Sequence, residues 1–178
     1  MPEIEEEEVG PRMKGDLDHI GVASSAGLLT MRNLALEKIG NTDYALLSEL
    51  SMRYPFLGVE DGAWKCNAFV ADIAVDAGFS VPIQHTGSFV WILLGMGYPP
   101  LANDWANGTT IEGWEYLGTG AYPEPGLIVG HPDAKIGHCG IVDYDGWAIS
   151  ARGGGITRKA LKMLDGTSGY NKPNEEEQ

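Results

Sequence analysis

One cysteine of this chain lies where nucleophilic chemistry is possible. Cys66 opens a segment in which apolar residues recur at helical spacing, namely Phe69, Val70, Ile73, Ala74 and Ala77. This periodicity predicts an amphipathic helix, and Gly78, with Pro82 shortly after it, predicts the helix end. A thiol in the first turn of a helix lies at the positive end of the peptide dipoles, which favours the thiolate. The alternative is a small core residue, because free cysteine is among the most buried residue types.

His138 is the best candidate for the base that a nucleophilic cysteine needs. Residues 138–144 and 147–151 have strand character, and Asp145-Gly146 between them is a strong hairpin signal. Across this hairpin Ser150 is expected near His138, where its hydroxyl can accept a hydrogen bond from the second ring nitrogen. The pattern therefore predicts a nucleophile, a base and an orienting hydroxyl.

Strand alternation assigns the residues around His138 to opposite faces of the hairpin. With His138 facing the Cys66 helix, Cys139 is predicted to point away as a structural residue. A disulfide between Cys66 and Cys139 is therefore expected to be sterically awkward. Asp143 lies on the wrong side to orient the imidazole, so it is predicted to face solvent.

Length and charge limit the fold and the partners. With 178 residues, 43% of them hydrophobic, and five tryptophans, the chain fits one globular domain with a sizeable core. Part of the net charge of −13 lies in acidic runs near the two ends. These runs predict solvated tails over residues 1–20 and 169–178, around a single domain at 21–168. No basic stripe is present in the sequence, so nucleic acid is not an expected partner.

The sequence has neither the pattern of a secretory leader nor that of a membrane span. Its N-terminus is acidic and lacks an apolar core region, which predicts synthesis in the cytoplasm without a signal peptide. The longest apolar run, residues 89–96, is too short to cross a bilayer, so no stable membrane insertion is expected. Two cysteines do not make a disulfide framework.

The order of the expected elements indicates an α+β fold. Helical patterns cover roughly residues 24–39 and 41–50, ahead of the Cys66 helix. Later segments are a helical turn at 103–106, strands at 114–117 and 126–130, the hairpin strands, and a strand or short helix at 156–164. Helices thus come first and an antiparallel meander second, which is typical of α+β rather than alternating α/β proteins.

Three short motifs together resemble the NlpC-type cell-wall peptidases and the related CHAP amidases. The nucleophile segment is Lys65-Cys66-Asn67-Ala68-Phe69-Val70, where that family usually has Asp-Cys-Ser-Gly-Phe-Val. The histidine segment is Gly137-His138-Cys139-Gly140-Ile141, where the family has Gly/Ser-His-Val-Gly-Ile. A polar residue, Ser150, then follows the histidine by twelve positions. The resemblance covers roughly residues 50–160.

Two further departures from the family pattern lie outside the nucleophile and histidine segments. Pro125-Gly126-Leu127-Ile128 stands where the family commonly has Pro-Gly-Asp-Leu, so a carboxylate is missing before the histidine strand. Ser150 stands where the family often has His, Asn, Gln or Glu, and a hydroxyl orients an imidazole more weakly than those groups.

The resemblance implies a papain-like (NlpC-type) fold, with N-terminal helices packed on a small antiparallel sheet. It also implies a cysteine peptidase or amidase that cleaves peptide or amide bonds of peptidoglycan without a cofactor. The catalytic residues that it implies are Cys66, His138 and Ser150.

Three further residues are expected to contact the substrate. Tyr54, twelve residues before the cysteine, matches a tyrosine that often lines the site of that family. Tyr54 and Asn67 are expected to bind the substrate or the oxyanion. Arg152, at the start of a Gly-rich stretch, either belongs to a flexible hairpin exit or meets a carboxylate of the peptidoglycan stem peptide.

The Lys65-Cys66-Asn67 variant resembles a subgroup found among type VI secretion and polymorphic-toxin effectors. Two segments between cysteine and histidine loosely match those of the subgroup: Asp104-Trp105-Ala106 and Glu112-Gly113-Trp114-Glu115. This resemblance implies an antibacterial effector that a secretion system exports and that acts in the periplasm of a target cell. The partners implied are the stem peptide as substrate and a cognate immunity protein.

Other interpretations are open at this level. His131, Asp133, His138 and Cys139 are zinc-ligand types, but their spacing fits no strong motif, so no metal is expected. A papain-like thiol acyltransferase or lipid-directed enzyme would use the same cysteine and histidine. A catalytically inactive cell-wall-binding module would need neither.

Overall fold

The structure, a computed structural model, describes residues 26–52, 55–60, 62–86, 88–132, 137–144, 146–160 and 168–174. The helices are α1 (Ala26–Glu37), α2 (Cys66–Asp76), α3 (Phe89–Leu93) and α4 (Ala102–Asn107). The strands are β1 (Trp114–Gly118), β2 (Ile128–His131), β3 (His138–Val142), β4 (Trp147–Arg152), β5 (Gly155–Ala160) and β6 (Gly169–Pro173). The predicted α+β class is therefore confirmed. Among the described helices, none is long and apolar enough to cross a membrane.

All six strands join one antiparallel sheet in the order β1-β6-β2-β3-β4-β5. β6 lies inside this sheet, between β1 and β2, so the prediction of a tail over residues 169–178 is wrong for 169–173. Tyr170 and Asn171 are buried, and the Asn171 amide donates a 2.7 Å hydrogen bond to the Trp105 carbonyl oxygen of α4. The sequence does not predict this strand, because five residues next to an acidic run are too few to show the alternation of apolar and polar residues that is typical of a strand.

The helix predicted for residues 41–50 is wrong, because these residues form turns. The Asn41 side-chain oxygen accepts a 2.7 Å hydrogen bond from the Asp43 backbone N–H, a local contact that competes with helix formation. The backbone of Gly40 and Asn41 is also paired with Ile156 of β5, at 3.0 and 2.9 Å. The sheet therefore takes the backbone groups that would have started a second helix.

Helix α2 is the central helix of the core, as its apolar stripe predicts. Seven of its residues are buried, including Phe69, Val70 and Ile73. These three side chains belong to the same buried cluster as Ile141 of β3 and Ile149 of β4, and α2 contacts both strands. Burying several large apolar side chains in this way contributes roughly 1.5–3 kcal/mol for each side chain. The packing fixes the position of Cys66 at the start of the helix.

Asp143, which was predicted to face solvent, is buried just after β3. Its Oδ1 accepts a 2.6 Å hydrogen bond from Arg32 Nε of α1, and its Oδ2 accepts one from Arg158 Nε of β5. Burial on its own raises the pKa of Asp143, but the hydrogen bonds from Arg158 and Arg32 outweigh burial and lower it. The prediction failed because both cations are distant in sequence. The carboxylate ties α1 and β5 to the end of β3.

We expect Asp143→Ala to lower the free energy of unfolding by about 2 kcal/mol, because Arg32 and Arg158 both lose a buried partner. The loss is moderate because the Arg158 side chain is partly exposed and remains solvated. Urea titration measures this change. Lys172→Gln is the matched control, since it breaks the exposed 3.1 Å ion pair with Glu115. Its effect should stay within about 0.5 kcal/mol. Equal losses in the two variants would contradict a structural role for the Asp143 pairs.

Candidate active site

The first turn of α2 carries the candidate nucleophile. Lys65 precedes the helix as its N-cap residue and makes no side-chain capping hydrogen bond to it. The Lys65 side chain is buried instead, and its Nζ donates to the carbonyl oxygens of Ala45 and Ala63, both at 3.0 Å. The buried ammonium therefore fixes the start of α2 to the preceding loops. Backbone N–H groups in the first turn of a helix have no partner within the helix, so those around Cys66 are suited to receive an oxyanion.

His138 and Ser150 are in contact, as the hairpin pattern predicts. His138 Nε2 lies 2.9 Å from Ser150 Oγ, and Ser150 is buried. The register that aligns them pairs Ile141 with Ile149 in the neighbouring strands. In the tautomer that carries its proton on Nε2, this proton is donated to Ser150 Oγ and Nδ1 is the basic nitrogen of the ring. The third-residue role of Ser150 in catalysis stays a prediction.

Gly137 is the residue that leads the chain into β3 at this point. Its φ of +68° lies in the left-handed region that glycine adopts without strain. A Cβ atom here would also lie 2.3 Å from the Asn103 side-chain oxygen of α4. Two features therefore favour glycine before His138: the left-handed backbone conformation and the close approach of α4.

Cys139 lies against Cys66 and does not point away from it, so that prediction is wrong. Both cysteines are free and buried, and the side chain and the backbone N–H of Cys139 hydrogen-bond to the Cys66 sulfur. The Cys66 side chain also hydrogen-bonds to His138. The prediction failed because it assumed that only His138 would face the Cys66 helix, whereas α2 packs on β3 and Cys66 contacts both His138 and Cys139.

These contacts move the pKa values of the two thiols in opposite directions. The Cys139 side-chain hydrogen bond lowers the pKa of Cys66 well below its usual range, burial opposes this, and His138 lowers it further. Burial raises the pKa of Cys139, and the hydrogen bond and charge of Cys66 raise it more. The contacts therefore favour the thiolate form at Cys66 and the protonated thiol at Cys139.

Two cavities flank Trp64, which precedes the Lys65-Cys66-Asn67 segment and is 46% exposed. The first cavity, of about 630 Å³, is lined by His138 and Arg152 among others. The second, of about 370 Å³, is lined by Asn67 among others. Arg152 and Asn67, the two predicted contact residues that the structure describes, therefore each line one of these cavities, which we together call the cleft. Tyr54 lies outside the described residues.

The residues of the zinc interpretation have other neighbours. His131 Nδ1 lies 3.2 Å from Ser168 Oγ, Cys139 contacts Cys66, and Asp133 lies outside the described residues. Over the described part of the chain, no group of three or more His, Cys, Asp or Glu side chains is placed to hold a metal ion.

Sequence reasoning missed three features of the site. Cys139 as a donor and buried Lys65 as an anchor depend on contacts between distant elements. The third feature is His85, because its Nε2 lies 2.6 Å from Asp104 Oδ2 of α4. This contact holds the segment beside the second cavity. Lys65 did have a signal, because it stands inside the nucleophile motif itself.

No protein-family model matches the chain, and no curated protein matches it. The chemistry of this site is therefore inferred from its geometry and from the sequence motifs.

We expect iodoacetamide to alkylate Cys66 with a pH midpoint well below the value of about 8.5 for an ordinary thiol. A lowered pKa keeps the thiolate populated as the pH falls, so the reaction should persist at mildly acidic pH. In Cys139→Ala the thiolate loses its strongest donor, and the midpoint should rise. Mass spectrometry of the labelled protein across pH gives both midpoints.

Cys66→Ala is the control for this labelling. Only Cys139 then remains, and because its pKa is raised this thiol should stay protonated and unmodified near neutral pH. Identical midpoints for the unaltered protein and Cys139→Ala would show that Cys139 does not stabilise the thiolate.

Proposed function

We propose that this chain is a papain-like cysteine hydrolase that cleaves peptide or amide bonds of peptidoglycan. The observation that carries the proposal is the chain of contacts from Cys66 to His138 and from His138 Nε2 to buried Ser150, the latter at 2.9 Å. A nucleophile, a base and an orienting group in hydrogen-bonding sequence are what thiol acyl transfer requires.

The proposed reaction proceeds in two halves. The Cys66 thiolate attacks the scissile carbonyl carbon, and the oxyanion that forms accepts hydrogen bonds from backbone N–H groups of the first turn of α2. The protonated His138 gives its proton to the leaving amine, the C–N bond breaks, and a thioester remains on Cys66. His138 then takes a proton from water, which attacks the thioester and releases the acid and the thiolate.

The environment of Cys66 favours an enzyme over an inactive binding module. A binding module has no need of a buried thiolate, whose desolvation costs free energy unless donors surround it. Here Cys139 and His138 both supply such donors. The acyltransferase alternative shares the first half of the reaction and differs only in the acceptor that replaces water.

The substrate class rests on the motif resemblance. Peptidoglycan as substrate, the role of Tyr54 and action in a target cell's periplasm after export by a secretion system all follow from that resemblance. A cognate immunity protein that covers the cleft is part of the same proposal. Directing the protein to the periplasm of a test cell should stop growth, and the absence of any effect would count against the effector role.

Digestion of purified peptidoglycan should give new fragments with the unaltered protein and none with Cys66→Ala, because the substitution removes the nucleophile. Mass spectrometry of the fragments identifies the bond. Circular dichroism of both proteins controls for folding. If neither protein releases fragments, the hydrolase proposal fails; if both release the same fragments, Cys66 is not the nucleophile.

We expect Ser150→Ala to lower kcat by about 100-fold with KM changed less than about twofold, because His138 loses the group that orients it. A purely structural effect would lower the melting temperature and leave the kcat of the folded protein near normal. Steady-state kinetics beside a thermal melt separate the two. An unchanged kcat would remove Ser150 from the catalytic set.

A further inference from the structure

The two cavities beside Trp64 differ in charge. We call the cavity that contains His138 the His138-side pocket and the one that contains Asn67 the Asn67-side pocket. Arg152 and Lys159 line the His138-side pocket, and no carboxylate is among its described lining residues. The Asn67-side pocket is lined by neutral residues in the described part of the chain. The whole chain has a net charge of −13, so the positive charge of this pocket wall is opposite in sign to that of the chain as a whole.

The cations of the His138-side pocket are placed by the sheet. Register pairs Ser150 with Thr157, and Ala148 with Lys159, across β4 and β5. Paired residues and residues two apart share a face, so Arg152, Thr157 and Lys159 extend from the same face as Ser150. The orienting hydroxyl and the two cations therefore belong to one rigid surface.

Two polar atoms of this wall lack partners among the described residues. Arg152 Nε and Thr157 Oγ1 are buried without a hydrogen bond there. Buried donors without partners cost free energy that a ligand can recover. A carboxylate suits the set, because it accepts paired hydrogen bonds from a guanidinium and pairs with an ammonium.

The chemistry of the reaction decides which part of a substrate meets these cations. His138 must lie within hydrogen-bond reach of the amine that leaves. The fragment that departs as an amine therefore occupies the pocket that contains His138, and the acyl fragment extends towards Asn67.

The geometry points to the His138-side pocket as a carboxylate-binding subsite for the leaving fragment, with Arg152 and Lys159 as specificity-determining residues. The protein then prefers scissile bonds whose amine-side residue carries a free carboxylate. This inference rests on the proposed function for the direction of the substrate, and it narrows the set of peptidoglycan bonds that are cut.

The test compares native peptidoglycan with peptidoglycan whose carboxylates have been converted to amides. We expect the unaltered protein to cleave the native form about tenfold faster, as charge-assisted hydrogen bonds are stronger than neutral ones. Arg152→Gln and Lys159→Gln should each bring the ratio of the two rates towards one. Lys172→Gln removes a cation of β6 that does not line the pocket, and it should leave the ratio unchanged.

A binding measurement separates this inference from the proposed function. Alanylalanine and its C-terminal amide are titrated into Cys66→Ala, with and without Lys159→Gln, a substitution at an exposed residue that should not disturb folding. Cleavage without preference for the carboxylate overturns the subsite and leaves the hydrolase. No cleavage, but Lys159-dependent binding of alanylalanine over its amide, overturns the hydrolase and supports the subsite. Neither cleavage nor preferential binding overturns both.

Discussion

The packing of the start of α2 against the start of β3 is the constraint on which the site depends. It brings the Cys66 sulfur within hydrogen-bonding contact of both His138 and Cys139, which no local sequence feature could do alone. One buried cation, Lys65, and one partly buried cation, Arg32, hold the elements around this junction. Lys65 binds the carbonyl oxygens of the loops that lead to α2, and Arg32 joins α1 to Asp143 after β3. The helix therefore has little freedom to slide along the strand, and the distance from thiol to imidazole is set by the fold.

The same junction also offsets the free-energy cost of burying a charged thiolate. A thiolate in a buried position loses its hydration, so its charge must be stabilised by donors within the protein. Cys139 gives one hydrogen bond from its backbone and one from its side chain, while His138 adds a hydrogen bond and a charge. The raised pKa of Cys139 is the other half of this arrangement, since a thiol that keeps its proton is the one that can donate. A second cysteine beside the first is thus explained by electrostatics as well as by packing.

The parts of this site that sequence could predict are those fixed by neighbours along the chain. The apolar period of α2 and the turn signal of the hairpin place Cys66 on a helix and Ser150 beside His138, and both placements agree with the structure. The errors have a common cause in tertiary contacts. The backbone of Asn41 pairs with β5, and β6 lies between β1 and β2. Cys139 faces α2 because the helix covers the beginning of the strand. None of these depends on the residues adjacent in sequence.

The β4–β5 hairpin links the orientation of the imidazole to the charge of the cleft. Ser150 and Arg152 are two residues apart on β4, so one strand carries both the group that contacts His138 and a cation of the pocket wall. The hairpin is also tied to the loop after α1 through the paired backbones of Ile156 and Asn41. A shift of this strand would move the Arg152 side chain and the Ser150 hydroxyl together, whereas a cation on a separate loop could move alone. In the mechanism that we propose, one paired strand would therefore fix both the position of a bound carboxylate and the orientation of the base.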